Sequence, residues 1–87
     1  MIPQEHIDAV ISLAETKGLS EELILELREQ YDYHFTYCME DDMDANTPAI
    51  EKPAFNVYFV DSSNHCSKLT TDPEKATGIV LAEVIED

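Results

Sequence analysis

Basic residues are scarce: Lys17, Arg28, Lys52, Lys68 and Lys75 stand against 19 carboxylates, for a formal net charge of −14 in 87 residues. Nucleic-acid binding needs Lys or Arg to displace counterions from phosphates, and here every segment is acidic. Anionic membrane surfaces are disfavoured for the same reason. Neither nucleic acid nor membrane is an expected partner. Glycine is nearly absent too. Gly18 and Gly78 are the only two, which leaves no glycine-rich phosphate loop. Cysteine is limited to Cys38 and Cys66, too few for a disulfide framework. Met1 leads straight to Pro3 and Glu5 without a basic and then apolar leader, so a signal peptide is not expected. No apolar run approaches the ~20 residues that span a bilayer. A cytoplasmic protein with reduced thiols is the expectation.

What is present is periodic hydrophobicity. The apolar content of 44% suffices for a core, and it is distributed in patterned segments, which argues for a folded chain despite the charge. The length allows one domain, 1–87, with one core and a thin stability margin. An acidic domain of this kind attracts a basic protein patch or a divalent cation.

Ile7, Val10, Ile11 and Ala14 recur at i, i+3, i+4 and i+7 and predict a helix over 3–17, with Pro3 in its first turn and Lys17-Gly18 as its stop. A second helix should start at Ser20, whose hydroxyl can cap it, and bury Leu23, Ile24, Leu27 and Tyr31. The period then drops to two. Tyr33, Phe35, Tyr37 and Met39 alternate with His34, Thr36, Cys38 and Glu40, which predicts a strand. Residues 41–53 read as an acidic loop, 54–61 as a strand and 65–70 as its hairpin partner. Thr71-Asp72-Pro73-Glu74 is a strong helix start and predicts a C-terminal helix over 71–87, although Gly78, Ile79 and Val80 would tolerate a strand. The expected fold class is therefore α+β in the order ααβββα: a helical hairpin (1–31), a small antiparallel three-stranded sheet (32–70) and the C-terminal helix.

Two constellations can carry chemistry. His34, Cys38, His65 and Cys66 are the residue types of a tetrahedral zinc site. The spacing opposes it, because four residues along a strand separate His34 from Cys38 by ~13 Å, whereas two ligands of one ion lie within ~4 Å. A smaller site with one residue from each strand, such as Cys38 with His65 or His34 with Cys66, stays open. A Cys38–Cys66 disulfide is not expected in a reducing compartment. The second constellation is Glu40, Asp41, Asp42 and Asp44, which suits docking of a basic protein surface. Carboxylates are also hard ligands for calcium or magnesium, but the EF-hand spacing, its turn glycine and its distal Glu are missing. No pair of residues reads as catalytic, and an enzyme is not expected. His6 reads as an exposed helix residue.

The segments His34-Phe35-Thr36-Tyr37-Cys38, Asn56-Val57-Tyr58-Phe59-Val60-Asp61, His65-Cys66 and Ala76-Thr77-Gly78 resemble a family of small uncharacterised proteobacterial proteins, some encoded near nitrogen-fixation genes. The resemblance implies an accessory role around metallocluster assembly or redox supply and brings no catalytic residues with it. The residues themselves give a non-enzymatic accessory protein that binds a basic partner, without a cofactor. The alternative is a metal-binding or metal-delivery protein using the Cys and His residues, with a divalent or transition metal. A third reading is an acidic mimic of nucleic acid. A free sheet edge leaves a homodimer open.

Overall fold

A computed structural model of the chain describes residues 2–43, 47–62 and 68–84. Helix α1, Gln4–Lys17, buries Ile7, Val10, Ile11 and Ala14, the stripe its sequence spacing dictates. Pro3 precedes it in an extended conformation, where a missing N–H leaves no helical bond unmade. Gly18 ends it at φ 78°, a left-handed value that a residue without Cβ adopts at little cost, and its N–H donates to Ala14 O at 2.9 Å. Helix α2, Glu21–Gln30, begins as expected: Ser20 Oγ accepts from the Leu23 N–H at 3.1 Å, and Leu23, Ile24 and Leu27 are buried. Lys17 and Glu26 pair at 3.0 Å across the hairpin, both exposed, a contact that contributes at most about 1 kcal/mol.

The strands are β1 (His34–Met39), β2 (Ile50–Glu51), β3 (Phe55–Asp61), β4 (Lys68–Thr70) and β5 (Gly78–Glu83). They form one mixed sheet in the order β1-β5-β3-β2, with β4 also on β3. β1 and β5 are parallel, while β3 is antiparallel to β5, β2 and β4. On one face Phe35, Ile79 and Phe59 make one cross-strand row and Tyr37, Leu81 and Val57 the next. The two helices cover these rows, and the main core lies between. On the other face Tyr58, Val80 and Ala82 are buried, with Cys38, Met43 and Val60 packed against them.

This sheet corrects the expected ααβββα order. The described residues contain no C-terminal helix, the sheet has five strands rather than three, and one pair is parallel. The helix-start signal is real but local. The Glu74 N–H donates to Asp72 Oδ1 at 3.0 Å, and Lys75 and Ala76 donate back to Asp72 O and Pro73 O, as in a first helical turn. The Thr77 N–H then donates to Val60 O at 2.7 Å, and the chain leaves as a strand. Gly78 to Ala82 are all buried, and a continuous apolar run covered on both faces belongs to a central strand. The expected loop 41–53 also carries structure: a 3-10 turn over Glu40–Met43, and β2. Of the expected return strand, Lys68–Thr70 forms β4, and His65 and Cys66 lie outside the described residues.

The parallel pairing needs a small residue at its start. A Cβ on Gly78 would sit 2.9 Å from both His34 Cβ and His34 O. The carbonyl cannot swing aside without parting β1 from β5. Gly78→Ala is therefore expected to cost about 1–3 kcal/mol, read as a lower urea midpoint at unchanged slope.

Candidate functional site

The densest polar chemistry lies where β1 runs into the 3-10 turn. β1 presents Cys38 on the face away from the helices, and the turn folds back across that face. The Cys38 thiol donates to Met43 Sδ at 3.5 Å, and the Tyr58 hydroxyl of β3 donates to Glu40 Oε1 at 2.6 Å. The acidic turn is thus held to the sheet at two points. Tyr58 is 1% exposed; burial, followed by the bond and charge of Glu40, pushes its phenol up to about 12. Burial also raises the Cys38 thiol, and the charges of Asp42 and Glu40 add to the rise. Glu40 Oε2 is buried with no hydrogen-bond partner among the described residues.

This setting keeps Cys38 protonated, the opposite of what a nucleophile or redox sensor needs. In a Cys66→Ser background, Cys38 should react with a thiol reagent at pH 8 more slowly in the folded protein than in urea. Equal rates would contradict the burial assigned to it.

The expected site residues separate. His34 is exposed at the start of β1, one strand length from Cys38, so the two are not brought together. Among the described residues no three His, Cys, Asp or Glu side chains are grouped to hold an ion. His65 and Cys66, and with them the paired sites Cys38–His65 and His34–Cys66, fall outside the described residues, as does Asp44. Of the docking carboxylates, Asp41 and Asp42 are exposed, whereas Glu40 turns inward to Tyr58. The sequence reading missed the partners Met43 and Tyr58. Alternation along β3 does put Tyr58 on the same side as Asn56 and Val60, but nothing local links it to Glu40. His6 is half-buried rather than exposed, with Nδ1 2.8 Å from the Tyr33 hydroxyl and its ring 4.9 Å from that of Tyr31.

A second feature flanks β1. An open groove of about 320 Å³ separates α2 from the strand, lined by Glu21, Ile24, Leu25, Arg28, Thr36 and Tyr37. The Tyr37 hydroxyl donates to Glu83 Oε1 at 2.7 Å, and that bond, then burial, raises its phenol, with Glu83 and Glu21 adding charge. No helix among the described residues is long and apolar enough to cross a membrane.

Comparison with known proteins gives one match. The model of a family of unknown function (DUF6129) covers residues 12–84, from the middle of α1 to just past β5. No curated protein and no solved structure matches the chain.

Proposed function

Because the chain belongs to this family of unknown function, membership brings no activity with it, and we propose from the residues that the protein is a non-catalytic accessory factor that docks a basic protein surface on the acidic end of its sheet. One observation carries the reading. Asp41 and Asp42 are exposed on a turn anchored through Cys38–Met43 and Glu40–Tyr58, so the backbone that carries them is held in place before any partner arrives. Preorganised charge loses less freedom on binding than charge on an untethered loop. Glu21 and Glu22 in the first turn of α2 add to the field, and the net charge of −14 steers cationic partners. The resemblance to small proteobacterial proteins, some of them encoded near nitrogen-fixation genes, supports an accessory role around metallocluster assembly or redox supply, and the proposed setting is the cytoplasm.

Pull-down from the native host tests this. The full chain should retain a partner at low ionic strength and release it as the Debye length falls below ~8 Å. An Asp41→Asn/Asp42→Asn variant should lose that partner while keeping its fold. Retention insensitive to both salt and these substitutions would defeat the reading.

Metal delivery through Cys38 has one observation of its own: Met43 Sδ at 3.5 Å stands within the separation of two soft ligands on one ion. Elemental analysis of untagged protein after exposure to zinc, iron and copper, repeated on Cys38→Ser, decides it. Uptake that survives Cys38→Ser would exclude this thiol.

A further inference from the structure

β1 is the outer strand of its side of the sheet, and among the described residues nothing pairs with its far edge. The His34 N–H donates inward to Thr77 O at 3.3 Å, so the even-numbered residues of β1 turn their peptide groups toward β5. By alternation the odd-numbered residues turn theirs outward. One outward group is already engaged: Phe35 O accepts from Arg28 Nη2 at 2.8 Å and Nε at 3.2 Å. The remaining outward groups include the Phe35 N–H and both the N–H and C=O of Tyr37. Alongside them runs the groove bounded by α2, where Leu25 is 57% exposed, the more exposed of the two exposed large apolar side chains among the described residues.

An edge with backbone groups unpaired among the described residues, next to an open groove of mixed lining with Leu25 exposed on its wall, fits an added strand, with alternate side chains lying in the groove. The charge on the page selects the occupant. Glu21 lines the groove, Asp41 and Asp42 follow the end of β1, and Arg28, the one cation lining the groove, is committed to Phe35 O. A second copy would bring another net charge of −14 to the same edge. We infer that the edge of β1 is a strand-addition site for an extended segment of a partner protein in which apolar residues alternate with Lys or Arg. This rests on the docking role proposed above and specifies its geometry: main-chain pairing at Phe35 and Tyr37, an apolar side chain against Leu25, and cations beside Glu21, Asp41 and Asp42.

The test uses the full chain, isotope-labelled for amide detection, and a decapeptide of alternating lysine and valine. Two further peptides carry N-methyl groups on alternate amides, one in each phase, so that only one of them loses the donors facing β1. Binding of the unmodified peptide should slow hydrogen exchange at the Phe35 and Tyr37 amides. One methylated phase should weaken binding about tenfold or more relative to the other. Leu25→Arg, at an exposed position that leaves the core intact, should weaken it as well. Equal binding of both phases, with shifts confined to the residues around Asp41 and Asp42, would overturn strand addition and leave acidic docking standing. Absence of any binding at low salt would overturn both. Protection of Phe35 and Tyr37 without peptide, growing with protein concentration, would assign the edge to a second copy and overturn the inference.

Discussion

Leu81→Ala is expected to lower folding stability by about 2–5 kcal/mol, the range for truncating a fully buried leucine. Leu81 is 0% exposed in the strand at the middle of the sheet, flanked by Tyr37 on β1 and Val57 on β3 and roofed by the helices. The cost combines lost transfer energy with a cavity that three paired strands cannot close. A chain of this size has roughly 4–13 kcal/mol in total, so the variant should show a large drop in urea midpoint and a raised unfolded fraction at growth temperature. Leu25→Ala is the control: on an exposed helix face its change should stay within about 0.5 kcal/mol. Similar losses for the two would place the core wrongly.

The second large effect belongs to Tyr58. In the unfolded chain its phenol titrates near 10. In the folded protein it is pushed up to about 12. Between those values the native state holds a proton that the unfolded state has released, so stability falls as pH rises through that window. Below pH ~10 the contribution is fully present. For a phenol this buried the loss reaches about 2–3 kcal/mol, and Tyr37, raised through its bond to Glu83, steepens the same decline. Tyr58→Phe should remove the Tyr58 share of the alkaline slope. At neutral pH it should also cost about 1.5–3 kcal/mol, because the half-buried Glu40 carboxylate, whose Oε2 is already covered, loses its hydrogen bond. Chemical denaturation from pH 8 to 12, with an ultraviolet titration of the phenols, reads both effects. An unchanged alkaline slope in Tyr58→Phe would contradict the raised phenol assigned to this buried site.

What the sequence revealed, and what it concealed, divides by range. The helical stripes, the Ser20 cap and the strand character of β1 and β3 are written in neighbouring residues and appear in the structure. Tyr31, however, lies just past the end of α2, and β3 is covered on both faces, with Tyr58 buried as well as Phe55, Val57 and Phe59. β5 was misread because a genuine helix-start signal at Thr71–Glu74 precedes it, while the reason for a strand lies in β1 and β3, far off in sequence. β2 is two residues long and has no period to read. The site divides in the same way. Strand spacing alone showed that His34 and Cys38 do not converge. The anchoring of the acidic turn rests on Glu40 and Tyr58, 18 residues apart and joined only by the fold.

The position of β5 also bears on how the chain reaches its native state. β5 follows every other described element in sequence yet lies between β1 and β3. Until it has been synthesised, β1 has no strand to pair with, and β3 has only the short β2 and β4. The two helices then have no continuous floor on which to bury Leu27, Ile7 or Val10. Assembly therefore waits for a strand insertion spanning most of the sequence, a contact pattern that folds slowly and leaves apolar strands uncovered meanwhile. The dense negative charge, idle in the core, has work to do in that interval: it holds incomplete chains apart from one another.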